Sequence, residues 1–322
     1  MTKPTYLPPS APTKSEVVIN TPTMRYIASL RSQESRRTMT STLNCFAREL
    51  NVSSHKDLEW SSVNADVIRH VINRFYERGL RTQRLNTYLT AIKKCSEKAW
   101  SMGLINDREL FEIKEIKGER GYQIKRSRPL NSDEVEKLFE QRASPSYSEN
   151  ILIRDNAMLA IMIGCGLRRA ELLGLKFDCF FKKQERWWLK VTGKGNKQRQ
   201  IPINHRRWPH IERWLKLRSK YVSQPSDDVV WLRIDKTGNI SYAPIVDTST
   251  VYRIVVRRFQ MMFGHREHAS PHDLRRTMAT LLHKAEVDVS LIQDLLGHSN
   301  VATTFGYIHK EDSELVSAVD RI

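Results

Sequence analysis

Between residues 24 and 102 the hydrophobic positions recur every three to four residues, which is the spacing of amphipathic helices. Residues 24–50 place Ile27, Leu30, Met39, Leu43, Phe46, Ala47 and Leu50 at such intervals. Residues 65–78 repeat the pattern with Val67, Ile68, Val71, Ile72 and Phe75, and Gly79 follows as a stop. Residues 82–102 carry Leu85, Leu89, Ile92, Ala99 and Trp100, closed by Gly103. The polar faces hold Arg36, Arg37, Arg69, Arg81, Arg84, Lys93 and Lys94. The pattern predicts a small, basic, helical domain.

Residues 112–128 break the apolar rhythm with Lys114, Lys117, Gly118, Arg120, Gly121, Lys125, Arg126 and Arg128, then Pro129. This composition reads as an exposed linker. Helical spacing resumes with N-cap candidates at 131–134 ahead of Val135, Leu138 and Phe139. Residues 151–163 are apolar on nearly all sides and predict a buried helix, broken by Gly164 and Gly166. A short helix over 169–173 closes at Gly174. The texture then changes: Trp187-Trp188-Leu189-Lys190-Val191 and Arg199-Gln200-Ile201-Pro202-Ile203 flank a Gly-rich turn. They predict a β-hairpin with Lys194 at its tip. Helices are expected again over 208–221, 249–263, 271–285 and 288–296. The fold class is therefore mainly α with a small β-sheet or hairpin in the C-terminal domain, an α+β arrangement.

The chain has 322 residues, 40% of them hydrophobic, enough for two cores. Its longest uninterrupted apolar stretch, residues 157–163, is far short of the roughly twenty that a membrane helix needs. Residues 1–22 hold five of the twelve prolines and lack the basic start and apolar core of a secretion signal; a disordered tail is expected there. The four cysteines form no C-x-x-C pair, so the sequence favours a reducing, cytoplasmic setting over disulfides or structural zinc. The net charge of +17 changes the picture most. Residues 1–128 carry 23 Lys+Arg against 13 Asp+Glu, and residues 129–322 carry 30 against 23, so both halves are basic. Positive charge spread along the whole chain fits a polyanion such as nucleic acid better than a membrane surface.

Candidate chemistry concentrates in three places. Gly166-Leu167-Arg168 puts an arginine directly after a buried helix, with Glu171 one turn on as its candidate partner. A guanidinium fork bonds two phosphate oxygens at once. In Pro271-His272-Asp273-Leu274-Arg275-Arg276, Leu274, Met278, Leu281 and Ala285 share a core face, while His272 and Arg275 share a flank near the helix N-terminus. In Leu296-Gly297-His298, the glycine ends a helix, and Tyr307 follows nine residues later. Each piece has an ordinary reading as well: a charged helix flank, a capping histidine, a core tyrosine. His265, His268 and His272 have a spacing that could suggest a metal, but no matching Cys or carboxylate motif accompanies them. No P-loop, dinucleotide fingerprint or G-x-S-x-G motif is present.

Together these pieces resemble the tyrosine recombinases, the phage integrase family. Gly166-Leu167-Arg168-Arg169-Ala170-Glu171-Leu172 looks like the family's G-L-R-x-x-E-L box, and Gly193-Lys194-Gly195-Asn196-Lys197 resembles the segment bearing its catalytic lysine. His272-Asp273-Leu274-Arg275 matches H-x-L-R, and Leu296-Gly297-His298 with Tyr307 matches L-G-H and the nucleophile. The resemblance implies a two-domain DNA clamp: a helical, SAM-like core-binding domain over 23–111, a linker over 112–129, and a catalytic domain with a C-terminal tail over 130–322. It implies that Tyr307 attacks the scissile phosphate and forms a 3′-phosphotyrosyl link, while a 5′-hydroxyl leaves and later reseals. Arg168 and Arg275 would hold the nonbridging oxygens, His272 would accept the tyrosine proton or bond the phosphate, and His298 would bond a phosphate oxygen. Lys194 would protonate the leaving oxygen, and Glu171 would orient Arg168. No ATP, metal or other cofactor is implied. The partners implied are double-stranded DNA recombination sites and further copies of the chain, in a tetramer on two sites through exchange of the C-terminal tail, with room for accessory proteins. Arg276 departs from the second histidine found in many relatives. The first twenty residues are shorter than the arm-binding domain of larger phage integrases. Leu315, Val316, Val319 and Ile322 predict a short helix in the tail, which could also pack on its own domain. A type IB topoisomerase and a DNA-binding protein without activity are the competing readings.

Overall fold

The computed structural model describes residues 21–118, 129–144, 146–193, 196–221, 228–264 and 269–308. The chain divides into two compact units, Met1–Gln123 and Ile124–Ile322. The expected disordered tail lies outside the described residues except for its end, which is ordered. Pro22 opens helix α1 (Pro22–Ser29), capped by the Thr21 hydroxyl, which accepts from the Met24 N–H.

The first unit continues with α2 (Gln33–Glu49), α3 (Ala65–Glu77), α4 (Thr82–Ser101) and α5 (Asp107–Glu115). Most apolar positions read from the sequence meet in one core, with Leu43 and Phe46 from α2, Ile68, Val71 and Phe75 from α3, and Leu85, Leu89 and Ile92 from α4, whereas Trp100 is exposed and donates its indole N–H to Asp107. Two details differ from the sequence expectation. The helical stretch over 24–50 is two helices, because Leu30 is extended and the Ser32 side chain caps a new start. The expected linker begins later, because α5 runs to Glu115. Leu110, Ile113 and Ile116 fall three apart and are all buried, so this turn is held by the core. Residues 119–128 of that segment lie outside the described residues.

The second unit is built around α7 (Glu149–Cys165), preceded by α6 (Ser132–Lys137). A helix apolar on all sides has no solvent face, and α7 is buried along nearly its whole length. It packs against α9 (Trp208–Ser219) and α11 (Pro271–Lys284). It ends at Gly166, whose φ of +61° is left-handed. A Cβ there would lie 2.7 Å from both Leu296 Cδ2 and Met278 Sδ, so the site requires glycine twice over. The short α8 (Arg169–Leu173) follows.

The expected hairpin is present as β2 (Arg186–Thr192) and β3 (Gln198–Pro202), antiparallel, with Leu189 opposite Ile201 and Val191 opposite Arg199. An unanticipated strand β1 (Phe180–Lys183) extends it to a three-stranded sheet, and β4 (Leu232–Ile234) with β5 (Ile240–Pro244) forms a second, two-stranded one. Helices α10 (Thr248–Phe263), α12 (Val289–Leu296) and α13 (Val301–Phe305) complete the described part. Trp231, fully buried, donates its indole N–H to the Leu172 carbonyl at 2.7 Å and so ties α8 to this core. The tail from residue 309, with the expected short helix, lies outside the described residues. No described helix is long and apolar enough to cross a membrane.

Candidate active site

Four elements of the second unit converge where α7 ends. Arg168 is the N-cap residue of α8, one residue beyond the Gly166-Leu167 turn. Its Nη1 bonds Glu171 Oε1 at 2.8 Å, and its backbone N–H donates to Glu171 Oε2 at 2.9 Å. The expected Arg168–Glu171 pair therefore exists, and the arginine remains 40% exposed at its side chain.

Helix α11 starts with Pro271 at its first position and a reciprocal cap between Ser270 and Asp273. His272 is exposed on its first turn, but Arg275 is only 1% exposed. The even flank expected for His272 and Arg275 is thus uneven: Arg275 is inside. Its Nη1 donates to the Gly166 carbonyl and its Nη2 to the Leu296 carbonyl. Burial pushes the Arg275 guanidinium down to about 10, with the neighbouring Arg168 charge adding to the shift, so it stays cationic near neutral pH.

Helix α12 ends at Gly297, left-handed at φ +64°, where a Cβ would press on the Arg199 guanidinium at 3.0 Å. The His298 N–H returns to the Gln293 carbonyl, which fixes the imidazole inward. His298 Nδ1 lies 2.9 Å from the hydroxyl of Thr304, itself fully buried on α13. Burial, then the charges of Arg275, Arg168, Arg199 and His272, push the His298 imidazole down to about 4. His298 is therefore neutral at physiological pH.

Tyr307 follows α13, its N–H bonded to the Thr304 carbonyl at 2.9 Å. Its ring lies between two imidazoles, with centroids 4.7 Å from His272 and 4.8 Å from His298. The Arg275 guanidinium carbon is 5.6 Å from the ring centroid, a cation–π distance. The Tyr307 hydroxyl is 2.5 Å from His272 Nε2. Two buried nitrogens in this cluster, Arg275 Nε and His298 Nε2, have no hydrogen-bond partner among the described residues.

The structure thus brings together Arg168, Glu171, His272, Arg275, His298 and Tyr307, although the first and last stand far apart in the chain. Lys194 lies outside the described residues. Its neighbour Gly193 is described, and a Cβ on Gly193 would sit 3.3 Å from Glu171 Oε1. His265 and His268 of the possible metal spacing also lie outside the described residues. His272, the third member, faces Tyr307 instead. Sequence reasoning missed two residues here. Thr304 is one. Arg199 is the other: its Nη1 and Nη2 meet Glu171 Oε1 and Oε2 at 3.2 and 2.9 Å. Strand alternation could have found it, since Arg199 shares a face with the buried Ile201 and Ile203. A cation on the core side of a strand needs a buried partner.

Comparison with known proteins gives the family. The phage integrase family model matches residues 128–314. The tyrosine recombinase XerC of Actinobacillus pleuropneumoniae serotype 7 is 30% identical over 262 residues, covering 81% of this chain and 79% of that protein. Solved structures share the fold. The XerH site-specific recombinase in a post-cleavage complex with a palindromic difH substrate has a TM-score of 0.64 at 21% identity, covering 89% of this chain and 76% of that one. A lambda integrase dimer bound to a COC′ core site has a TM-score of 0.64 at 16% identity, covering 88% of this chain and 92% of that one. The chain belongs to the phage integrase family, the tyrosine-type site-specific DNA recombinases.

Proposed function

We propose that Tyr307 is the nucleophile of strand cleavage and that Arg168, Arg275, His272 and His298 form the phosphate site around it. One observation carries this reading. The Tyr307 hydroxyl rests on His272 Nε2 at 2.5 Å, beside buried nitrogens of Arg275 and His298 that have no partner among the described residues. An orphaned buried donor costs free energy, and an entering phosphate oxygen would satisfy it. Tyr307 Oη attacks phosphorus, the bond from phosphorus to O5′ breaks, and a 3′-phosphotyrosyl link remains. His272 takes the tyrosine proton. Arg168 and Arg275 offset the charge that builds on the nonbridging oxygens of the pentavalent state. Lys194 gives a proton to the leaving 5′-oxygen. Attack by a 5′-hydroxyl of a partner strand reverses these steps and seals the new junction, so no external energy source enters.

The DNA substrate is a pair of double-stranded recombination sites, gripped by both units, and the working assembly is a tetramer exchanging C-terminal tails. The DNA partner is supported by the net charge of +17 spread over both units and by the likeness of fold to recombinases solved on DNA. The cytoplasm is the place where such DNA would be met. The test uses plasmids carrying two copies of the site that the protein selects from a random-sequence DNA pool. Exchange between the sites without ATP or added metal supports the reading. Relaxation of supercoils without exchange would instead make it a type IB topoisomerase activity, and binding alone would leave only a DNA-binding protein.

A further inference from the structure

Three consecutive carbonyls end helix α12, and three arginines meet them. Arg199 Nε donates to Leu295 O at 2.9 Å, Arg275 Nη2 donates to Leu296 O, and Arg168 Nη2 reaches Gly297 O at 3.5 Å. The C-terminal carbonyls of a helix lack intrahelical donors and attract cations. Two of the three arginines are already assigned to the phosphate. The third, Arg199, stands on β3 with its side chain only 13% exposed, too enclosed for solvent-facing charge. Its remaining nitrogens meet both oxygens of Glu171, the carboxylate that also holds Arg168 at its Nη1 and its backbone N–H.

We propose that Arg199 is a positioning residue for strand cleavage: one guanidinium fixes Arg168 through their shared Glu171 and fixes the His298 turn through the Leu295 carbonyl. The inference rests on the reading of Arg168 and His298 as phosphate-binding groups. Glu171 alone could swing between one and two partners. With both of its oxygens met by Arg199, its position is set by β3 and the sheet behind it. Burial would raise the Glu171 carboxyl, but hydrogen bonds from Arg199 and from the Arg168 backbone outweigh it and hold the group below its ordinary value. The carboxylate is therefore a permanent anion between two cations. Arg199 offsets its charge, so Arg168 keeps positive potential for a phosphate. The fit is close on the other side as well, since the guanidinium fills the space a Cβ on Gly297 would need.

The fork geometry is essential to this role. A lysine at 199 keeps the charge but cannot meet both Glu171 oxygens and the Leu295 carbonyl together. The experiment measures single-turnover cleavage of a nicked duplex built on the selected site, at saturating protein, for Arg199→Lys, Arg199→Ala, Glu171→Gln and the double variant Arg199→Ala/Glu171→Gln. DNA affinity and melting temperature are measured alongside. We expect Arg199→Ala to cleave on the order of 10²-fold more slowly, the scale of about a 1 Å misplacement, with DNA affinity held within about threefold. Arg199→Lys should fall nearer to alanine than to wild type. The double variant should be no slower than the worse single one, because both act through one path. If Arg199→Ala does not fold, Arg199→Lys decides. A saturating rate near wild type in the folded variant overturns the proposal, as does a rate loss matched by lost folded fraction. Arg168→Ala is the control that separates the two readings. If it cleaves normally, the phosphate site is wrong; if it fails while Arg199→Lys cleaves normally, only the positioning role is wrong.

Discussion

At the scale of single residues, the proposed phosphate site calls for a neutral histidine held in one tautomer. His298 can donate from Nε2 only if Nδ1 accepts, and the hydroxyl 2.9 Å from Nδ1 belongs to Thr304. Thr304→Val keeps the volume and removes that donor. We expect it to slow cleavage roughly tenfold, equivalent to about 1.4 kcal/mol, with DNA affinity nearly unchanged. Unchanged cleavage in a single-turnover assay would show that the hydroxyl does not set the tautomer. The imidazole itself gives a second prediction. His298 is pushed from 6.5 down to about 4, first by burial and then by the surrounding arginines. In an NMR titration its ring should stay neutral until the pH approaches 4. The unfolded chain binds this proton first, so acidification between 6.5 and about 4 favours unfolding. A His298→Gln variant should lose less stability over that window. A His298 titration near its ordinary value would contradict the enclosed site.

At the scale of elements, the end of α7 is the hinge of the architecture. Gly166 turns the chain so that Arg168 leaves a buried helix, and its carbonyl also receives Arg275. Gly166→Ala adds left-handed strain and two contacts at 2.7 Å, so we expect a loss of about 2–4 kcal/mol in urea unfolding. A loss below that range would mean that the Leu296 and Met278 side chains yield easily. The helices around this point were legible because apolar residues repeat at helical spacing, and α7 because its sequence is apolar all round. The motifs around Arg168, His272, Arg275, His298 and Tyr307 were legible only together, through their resemblance to the family's boxes, since helix ends and glycines alone left Tyr307 an ordinary core tyrosine. The break at Leu30 was not, since Leu30, where the chain leaves α1, still falls at helical spacing after Ile27. Strand β1 was not, since Phe180-Phe181-Lys182-Lys183 shows no alternation. Arg199 and Thr304 were missed for another reason. Their roles lie in partners distant along the chain or folded back on it, Glu171 and Leu295 for one and His298 for the other.

At the scale of the whole molecule, two units with separate cores share one excess of positive charge. DNA binding should therefore be strongly salt-dependent. With about six to ten phosphate contacts, affinity should fall roughly 10³–10⁵-fold between about 50 and 200 mM salt. A flat salt profile in fluorescence anisotropy would contradict binding through the backbone. Charge brings the duplex in, but the chemistry rests on one new bond between DNA and the chain. The most direct test is covalent trapping on a nicked suicide substrate, followed by digestion and peptide mass mapping of the adduct. The account predicts a DNA 3′-phosphate attached to Tyr307 and no adduct from a Tyr307→Phe variant that still binds the site. An adduct on another residue, or one that survives Tyr307→Phe, would contradict it.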